Sequence, residues 1–260
     1  MGLDPETVRA VKEFENFLLE ARKANHVRVP TKNDQIIFER SVLTRMNLEQ
    51  FAEVYLRSGV FQADRLPRLI SYLMDVKLEL YYLLEIDIHL QNRYVYGHGY
   101  QVDKPREKPN VLLARLSLDQ TLILKSRVLW DRLMNALFYL QTGLVLEDRK
   151  GAKSKKSRFF KEMFKCERWQ FLSEYEPQIL QYDDDYRTPE SHKMSVLRAQ
   201  MMKGTIADPN RVTKLLNSAT GLWRKIVAVV DGRKPTEHPE LPSEQGEIIV
   251  VNLHGKQCDR

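Results

Sequence analysis

The sequence is poor in cysteine and in long apolar runs, and each shortage excludes a class of protein. The two cysteines, Cys166 and Cys258, are too few for a disulfide framework and do not have the spacing of metal ligands. A charged fraction of 29% and the lack of any apolar run of about 18 residues argue against a membrane protein. The first residues lack the basic and apolar regions of a signal peptide. We therefore expect a reducing, cytoplasmic setting.

Common catalytic and nucleotide-binding motifs are also missing. There is no Gly-x-x-x-x-Gly-Lys-Ser/Thr, no Gly-x-Gly-x-x-Gly and no Gly-x-Ser-x-Gly. The Glu-x-x-His spacing of a di-iron bundle is not met either. The sequence therefore predicts no cofactor and no metal site. Its hydrophobic fraction of 43% is enough for a core, and its net charge of +6 is compatible with a nucleic-acid partner.

Helical periodicity covers most of the chain and predicts an all-α fold. Asp4-Pro5 marks one helix start, and shorter helices are expected at about 34–45 and 47–57. Longer apolar patterns predict a bundle with long antiparallel helices. Its helices are expected at about 68–94, 117–142, 189–203 and 209–231. We divide the chain into an N-terminal helical extension (1–64), the bundle (65–232) and a C-terminal tail (233–260).

The tail contains one pattern that is not helical. Residues 247–253 read Glu-Ile-Ile-Val-Val-Asn-Leu, which is typical of a β-strand. A single strand needs a partner. The strand is therefore expected to pair with another copy of the chain, to pack on the body of the protein, or to be poorly ordered.

The most informative stretch is residues 182–192, Tyr-Asp-Asp-Asp-Tyr-Arg-Thr-Pro-Glu-Ser-His. We interpret it as an acidic loop that leads into a helix start, with Thr188 as the N-cap and proline at the first helical position. Glu190 suits the positive end of the helix dipole. In this register Arg187 and His192 meet beside free backbone N–H groups, an arrangement that suits a phosphodiester.

The spacing Arg-x4-His is not specific by itself, because two other pairs share it. The predicted helix start is what separates Arg187–His192 from them. A structural alternative stays open, in which His192 is an exposed residue of the first turn and Arg187 pairs with one of the three preceding aspartates. The other two pairs are Arg93–His98 and Arg233–His238.

This pair, within this helical pattern, resembles the HEPN superfamily, whose members are small and commonly dimeric helical domains. Their Arg-x4–6-His motif cuts RNA without a metal. The resemblance covers residues 68–231 and depends on Tyr186 to His192. Family members usually have a polar residue, often Asn, after the Arg, whereas Thr188 here is followed by the less usual Pro189. The resemblance implies RNA as substrate, a toxin or defence role, and a protein partner such as an antitoxin.

By the resemblance, His192 would transfer a proton and Arg187 would bind the scissile phosphate. An imidazole with a pKa near neutrality can act on a ribose 2′-hydroxyl, and a guanidinium can stabilise the developing charge. One face of the predicted helix 189–203 is small and mildly apolar, so we expect it to pair with a second copy. The resulting homodimer would have a composite site that holds both motifs.

A polar stripe in the second long helix is a candidate support for this site. Arg127, Asp131 and Asn135 recur at i, i+4 spacing beside apolar residues, so they are expected to be partly buried. Two interpretations stay open. Arg127 and Asp131 form an internal ion pair, or Asp131 orients Arg187 or His192 from the neighbouring helix.

A basic stretch at residues 149–168 has nine Lys or Arg against two Glu. Its first half is expected to be a loop and its second half a helix. The stretch is a candidate for binding the RNA backbone, and it should then lie on the same side as Arg187. Otherwise the stretch is a solvated loop. The alternative function for the chain is a non-catalytic all-helical protein-interaction module whose basic loop or C-terminal strand docks a partner. The candidate phosphate-binding residues are Lys153, Lys155, Lys156 and Arg158.

Overall fold

A computed structural model of the chain describes residues 4–24, 35–38, 46–95, 109–146, 154–188, 211–235 and 249–252. The fold is all-α, as predicted. Short 3-10 helices cover Ala63–Arg65 and Glu167–Glu174. The α-helices in the described part are α1 (Pro5–Ala24), α2 (Leu48–Ser58), α3 (Leu66–Val95), α4 (Pro109–Thr142), α5 (Lys155–Met163), α6 (Glu176–Tyr182) and α7 (Arg211–Val230).

Local signals in the sequence determine where α1 and α2 begin. The Asp4 carboxylate accepts a hydrogen bond from the Thr7 backbone N–H at 2.9 Å, and α1 follows with proline as its first residue. The Asn47 side chain accepts from the Gln50 N–H at 2.9 Å and caps α2. Gly59 ends α2 in the left-handed conformation. Both helix starts and the end of α2 confirm the predictions.

The two longest helices, α3 and α4, form an antiparallel pair at the centre of the bundle. Tyr72 lies beside Tyr139, with ring centroids 5.4 Å apart, and Lys125 Nζ donates to Glu79 Oε2 at 3.0 Å. The earlier residue of α3 contacts the later residue of α4, and the later residue of α3 contacts the earlier one, so the two helices are antiparallel. Their side chains contribute a large part of the buried apolar core. The predicted long antiparallel helices are present.

The other helices surround this pair. α6 runs antiparallel to α4: the ring of Tyr175, the residue before α6, lies 6.1 Å from that of Trp130, and Tyr182 at the end of α6 hydrogen-bonds to Ile123. α7 packs on α2, with the Phe51 and Trp223 rings 5.2 Å apart. Val11 of α1 is fully buried in the same core. Residues before 65 thus contribute to the central core, and the division at 64, 232 and 233 stays a prediction. Within the described ranges, no helix is long and apolar enough to cross a membrane.

The tail strand finds a partner within the chain. Strand β1 (Gln35–Phe38) pairs antiparallel with strand β2 (Ile249–Asn252), and Gln35 is opposite Asn252. The helix predicted at about 34–45 is therefore wrong at residues 35–38. Two adjacent isoleucines and a phenylalanine favour an extended backbone there, and the partner strand is more than two hundred positions away in the sequence.

Candidate functional site

The stretch that contains Arg187 is helical, and the predicted acidic loop and helix start are wrong. Asp183–Arg187 continues α6 as one π-helical turn, in which the Thr188 backbone N–H donates to the Asp183 carbonyl. Thr188 itself has φ −65° and ψ −47°. An N-cap has a non-helical backbone, so Thr188 is not one. The chain enters the motif from a helix that is already formed, and this N–H is already bonded.

The apolar spacing before the motif accounts for this continuation. Leu172, Tyr175 and Ile179 are buried at intervals of three and four residues, and Asp183 follows four residues later on the same face. Asp183 is therefore held in the interior, and the helix extends to carry it there. The spacing of these buried residues can be recognised in the sequence, and it predicts that Asp183 lies on the buried face of the helix.

Asp183 is the centre of a buried ionic cluster and is only 3% exposed. Its carboxylate forms ion pairs with Lys156 of α5 and with Arg127 of α4, whose Nε lies 3.1 Å from Asp183 Oδ1. Arg127 Nη1 also lies 2.8 Å from Asp131 Oδ1. The two Arg127 N–H groups do not point closely enough at these oxygens for hydrogen bonds. The four groups together are neutral, which limits the cost of burying them.

The polar stripe of α4 therefore serves this cluster. The expected Arg127–Asp131 pair is present. Arg127 also contacts Asp183, which lies in the continuous helical stretch 176–188, named here the motif helix. Asn135 lies on the same helix, and its buried Oδ1 has no hydrogen-bond partner among the described residues. Asp131 forms no ion pair with Arg187 in the part of the chain that the structure describes. Asp131 instead faces Arg127, so the link from the stripe to the motif goes through Arg127 and Asp183.

Arg187 is partly exposed, and in the described part of the chain it forms no ion pair or hydrogen bond. Within the described residues, none of the three preceding aspartates pairs with Arg187, so the structural alternative for this arginine is not observed. Asp183 is occupied by Arg127 and Lys156, and Asp185 Oδ2 accepts from Gln181 Nε2 at 2.7 Å. Arg233, which belongs to another Arg-x4-His pair, differs because its Nε lies 2.8 Å from Asp231 Oδ2.

The basic stretch is helical earlier than predicted. Ser154 caps α5 by accepting the Ser157 backbone N–H at 3.3 Å, so residues 155–158 are on a helix and not in a loop. A serine ahead of the buried Phe159 is the signal that could have shown this start. Lys156 pairs with Asp183. Lys155, Lys156 and Arg158 are all partly exposed.

Three of the predicted site residues, Lys153, Glu190 and His192, lie outside the described residues. The same holds for the helix predicted at 189–203 and for its expected dimer face. Within the described ranges, no group of three or more His, Cys, Asp or Glu side chains could hold a metal ion. Of the predicted residues, the structure brings Arg127, Asp131 and Lys156 together around Asp183, which was not among the predicted site residues.

Comparison with known proteins gives no relative: the chain matches no protein-family model, no curated protein and no solved structure.

Proposed function

We propose that this protein is an RNA-binding and RNA-cleaving domain of the HEPN type, in which Arg187 holds a phosphate and His192 transfers a proton. The observation that carries the proposal is that Arg187 forms no ion pair with any carboxylate in the described part of the chain. The arginine follows three aspartates, yet none of them forms an ion pair with it within the described part of the chain. A guanidinium without a carboxylate partner is available for a phosphate, which it can bind through two parallel hydrogen bonds.

Two features of the surrounding helices support this assignment. π-Helical turns inside helices occur frequently at functional sites, and Arg187 is the last residue of such a turn. The ion pair between Lys156 and Asp183 also holds the basic helix α5 beside this turn. Lys155 and Arg158 of α5 can therefore add positive potential along an RNA backbone that reaches Arg187.

The proposed chemistry needs no group beyond these side chains and the RNA. A histidine takes the proton of the ribose 2′-hydroxyl, and the 2′-oxygen attacks the adjacent phosphorus. The bond from phosphorus to the 5′-oxygen breaks, and that oxygen leaves with a proton. Arg187 stabilises the charge on the phosphoryl oxygens during this step. The products are a 2′,3′-cyclic phosphate and a free 5′-hydroxyl.

A homodimer is part of this proposal. One chain supplies a single motif histidine, whereas the reaction uses both a base and an acid. A two-fold pairing of the predicted helices at 189–203 would place a second His192 opposite the first, so that one takes the proton and the other returns it. Sedimentation equilibrium at micromolar concentration should therefore give about twice the mass of the chain. A monomer would remove the composite site.

Cleavage of an unstructured RNA in the presence of a chelator tests the function directly. His192→Ala should lower the rate by about 100-fold or more, since a general acid or base contributes about 10² to 10⁴. Arg187→Ala should have a loss of similar size, and Arg187→Lys should recover only part of it. His238→Ala is the matched control because its Arg-x4-His pair has the same spacing, but its arginine is paired with Asp231.

Three results would count against the proposal. They are activity that a chelator abolishes, equal activity in the His192 and His238 variants, and full activity in Arg187→Ala. If the protein neither binds nor cuts RNA, the non-catalytic protein-interaction module becomes the better description.

A further inference from the structure

Two tyrosines lie beside Arg187 in the motif helix. Tyr182 is the last residue of α6 and Tyr186 follows one turn later, with ring centroids 5.3 Å apart and planes inclined by 34°. Both rings are partly exposed. The Tyr182 hydroxyl donates to the Ile123 carbonyl of α4 at 3.3 Å, which fixes the first ring against the bundle. The pair is therefore a supported aromatic surface that solvent reaches.

The helical phase groups these rings with Arg187 and separates them from the exposed acids. Side chains four positions apart share a face, so Tyr182 lies near Tyr186, and Arg187 lies near the neutralised Asp183. Asp184 and Asp185 point to the opposite half of the turn and are exposed. A polyanion can approach the tyrosine edge without facing these two carboxylates.

We propose that Tyr182 and Tyr186 form a stacking platform for an unpaired base, and that the RNA taken by this site is single-stranded. The inference rests on the proposed function, because it concerns the nucleotide next to the phosphate that Arg187 holds. Stacking needs an accessible base face, and a base inside a duplex has both faces covered by its neighbours. Every base has such a face, so the platform selects unpaired nucleotides with little preference for sequence.

Binding of matched RNAs tests the platform. Fluorescence anisotropy would compare a labelled unstructured oligonucleotide with its duplex, using the full chain with His192→Ala to prevent cleavage. We expect at least about tenfold tighter binding of the single strand. Tyr186→Leu should weaken single-strand binding by about tenfold, and Tyr186→Phe should keep it within about twofold, since loss of a stacked ring has effects of this order. The control is Tyr72→Leu, which removes another partly exposed ring from an aromatic pair.

A second measurement does not depend on how well a variant folds. Abasic nucleotides are introduced one at a time into the oligonucleotide, and we expect one position to weaken binding about tenfold. Equal affinity for single strand and duplex, or no effect at any abasic position, would overturn the platform while leaving the proposed function intact. If the starting protein binds neither RNA, then the proposed function itself fails.

Discussion

Gly143 ends α4 in a conformation that other residues rarely adopt. Its φ is +72°, and a Cβ there would lie 3.0 Å from Arg65 Cζ and Nε. Arg65 cannot move away without cost, because its Nη1 donates to the carbonyls of Leu140 and Gln141, both at 3.3 Å. The guanidinium thus caps the end of α4, and the glycine leaves room for it.

Replacing this glycine should therefore destabilise the protein through two separate effects. We expect Gly143→Ala to lower the free energy of unfolding by about 2 kcal/mol, of which about 1 kcal/mol comes from the backbone conformation. Gly59→Ala isolates the backbone effect, since its φ is +62° and no atom lies within 4 Å of the added Cβ. Gly221→Ala in α7 should instead stabilise by about 0.5 kcal/mol. Denaturant titration measures all three, and equal losses at positions 59 and 143 would show that Arg65 adds nothing.

Tyr55 couples stability to alkaline pH. Burial raises the pKa of its hydroxyl to about 12, and the hydroxyl donates to the Gln62 carbonyl at 2.8 Å. The unfolded chain loses this proton near pH 10, whereas the folded chain keeps it until about pH 12. Unfolding therefore releases a proton in this window, and stability falls as the pH rises through it.

The size of this loss can be isolated with Tyr55→Phe, which has no proton to lose. Between about pH 10 and pH 12 the wild type should lose about 2 kcal/mol more than the variant, at about 1.4 kcal/mol per pKa unit. At neutral pH the variant should be less stable by about 1 kcal/mol, since it lacks the hydrogen bond to Gln62. Parallel decline of the two proteins in urea titrations across this window would refute the assignment.

At the scale of the element, the motif helix shows what a sequence can and cannot predict. The caps at Asp4 and Asn47 were predictable because each signal lies within four residues of the helix start. The helix start predicted at Thr188 was wrong, because the helix before it continues through this residue. The regular spacing of buried residues, which places Asp183 in the interior, outweighs the capping pattern. The Lys156–Asp183 pair joins residues 27 positions apart, and only the packed fold brings them together.

The same pair allows a test of what holds the π-helical turn in place. Asp183→Ala removes the carboxylate that Arg127 and Lys156 share, so we expect a loss of about 3 kcal/mol in the free energy of unfolding. Asp185→Ala, in the same turn but exposed, should change it by less than about 0.5 kcal/mol. Lys156→Met should cost less than Asp183→Ala, because Arg127 still neutralises the carboxylate. Chemical denaturation of the three variants measures this order, and a similar loss in both aspartate variants would argue against the cluster.

Across the whole molecule, the net charge of +6 matters less than where the cations lie. Many cations in the described part are already paired or cover aromatic rings, such as Lys225, which pairs with Glu174 and lies 5.5 Å from the Tyr175 ring. Lys155 is partly exposed on α5, which is joined to the motif helix by the Lys156–Asp183 ion pair. The proposed RNA interface is therefore a local property of this side of the bundle.

Salt dependence can separate a local interface from the effect of overall charge. The logarithm of RNA affinity should fall linearly with the logarithm of salt concentration, and each phosphate contact to a single strand contributes about 0.7 to the slope. The double variant Lys155→Ala, Arg158→Ala should reduce the slope by about 1.4, since two contacts are lost. Lys12→Ala, Lys234→Ala removes the same charge from other exposed positions and should leave the slope unchanged. Anisotropy titrations at several salt concentrations would decide, and equal slopes for the two double variants would point to overall charge alone.

The three tryptophans give the molecule its own optical probes, because each lies at a different contact. Trp130 of α4 lies against Tyr175, just before α6, and Trp223 of α7 lies against α2. Trp169 donates its indole N–H to Gln141 of α4 at 2.8 Å. Emission from a single-tryptophan variant therefore follows the separation of one pair of elements. Coincident emission changes in all three variants during denaturation would mean that the chain unfolds as one cooperative unit, whereas separate changes would give the order in which its elements come apart.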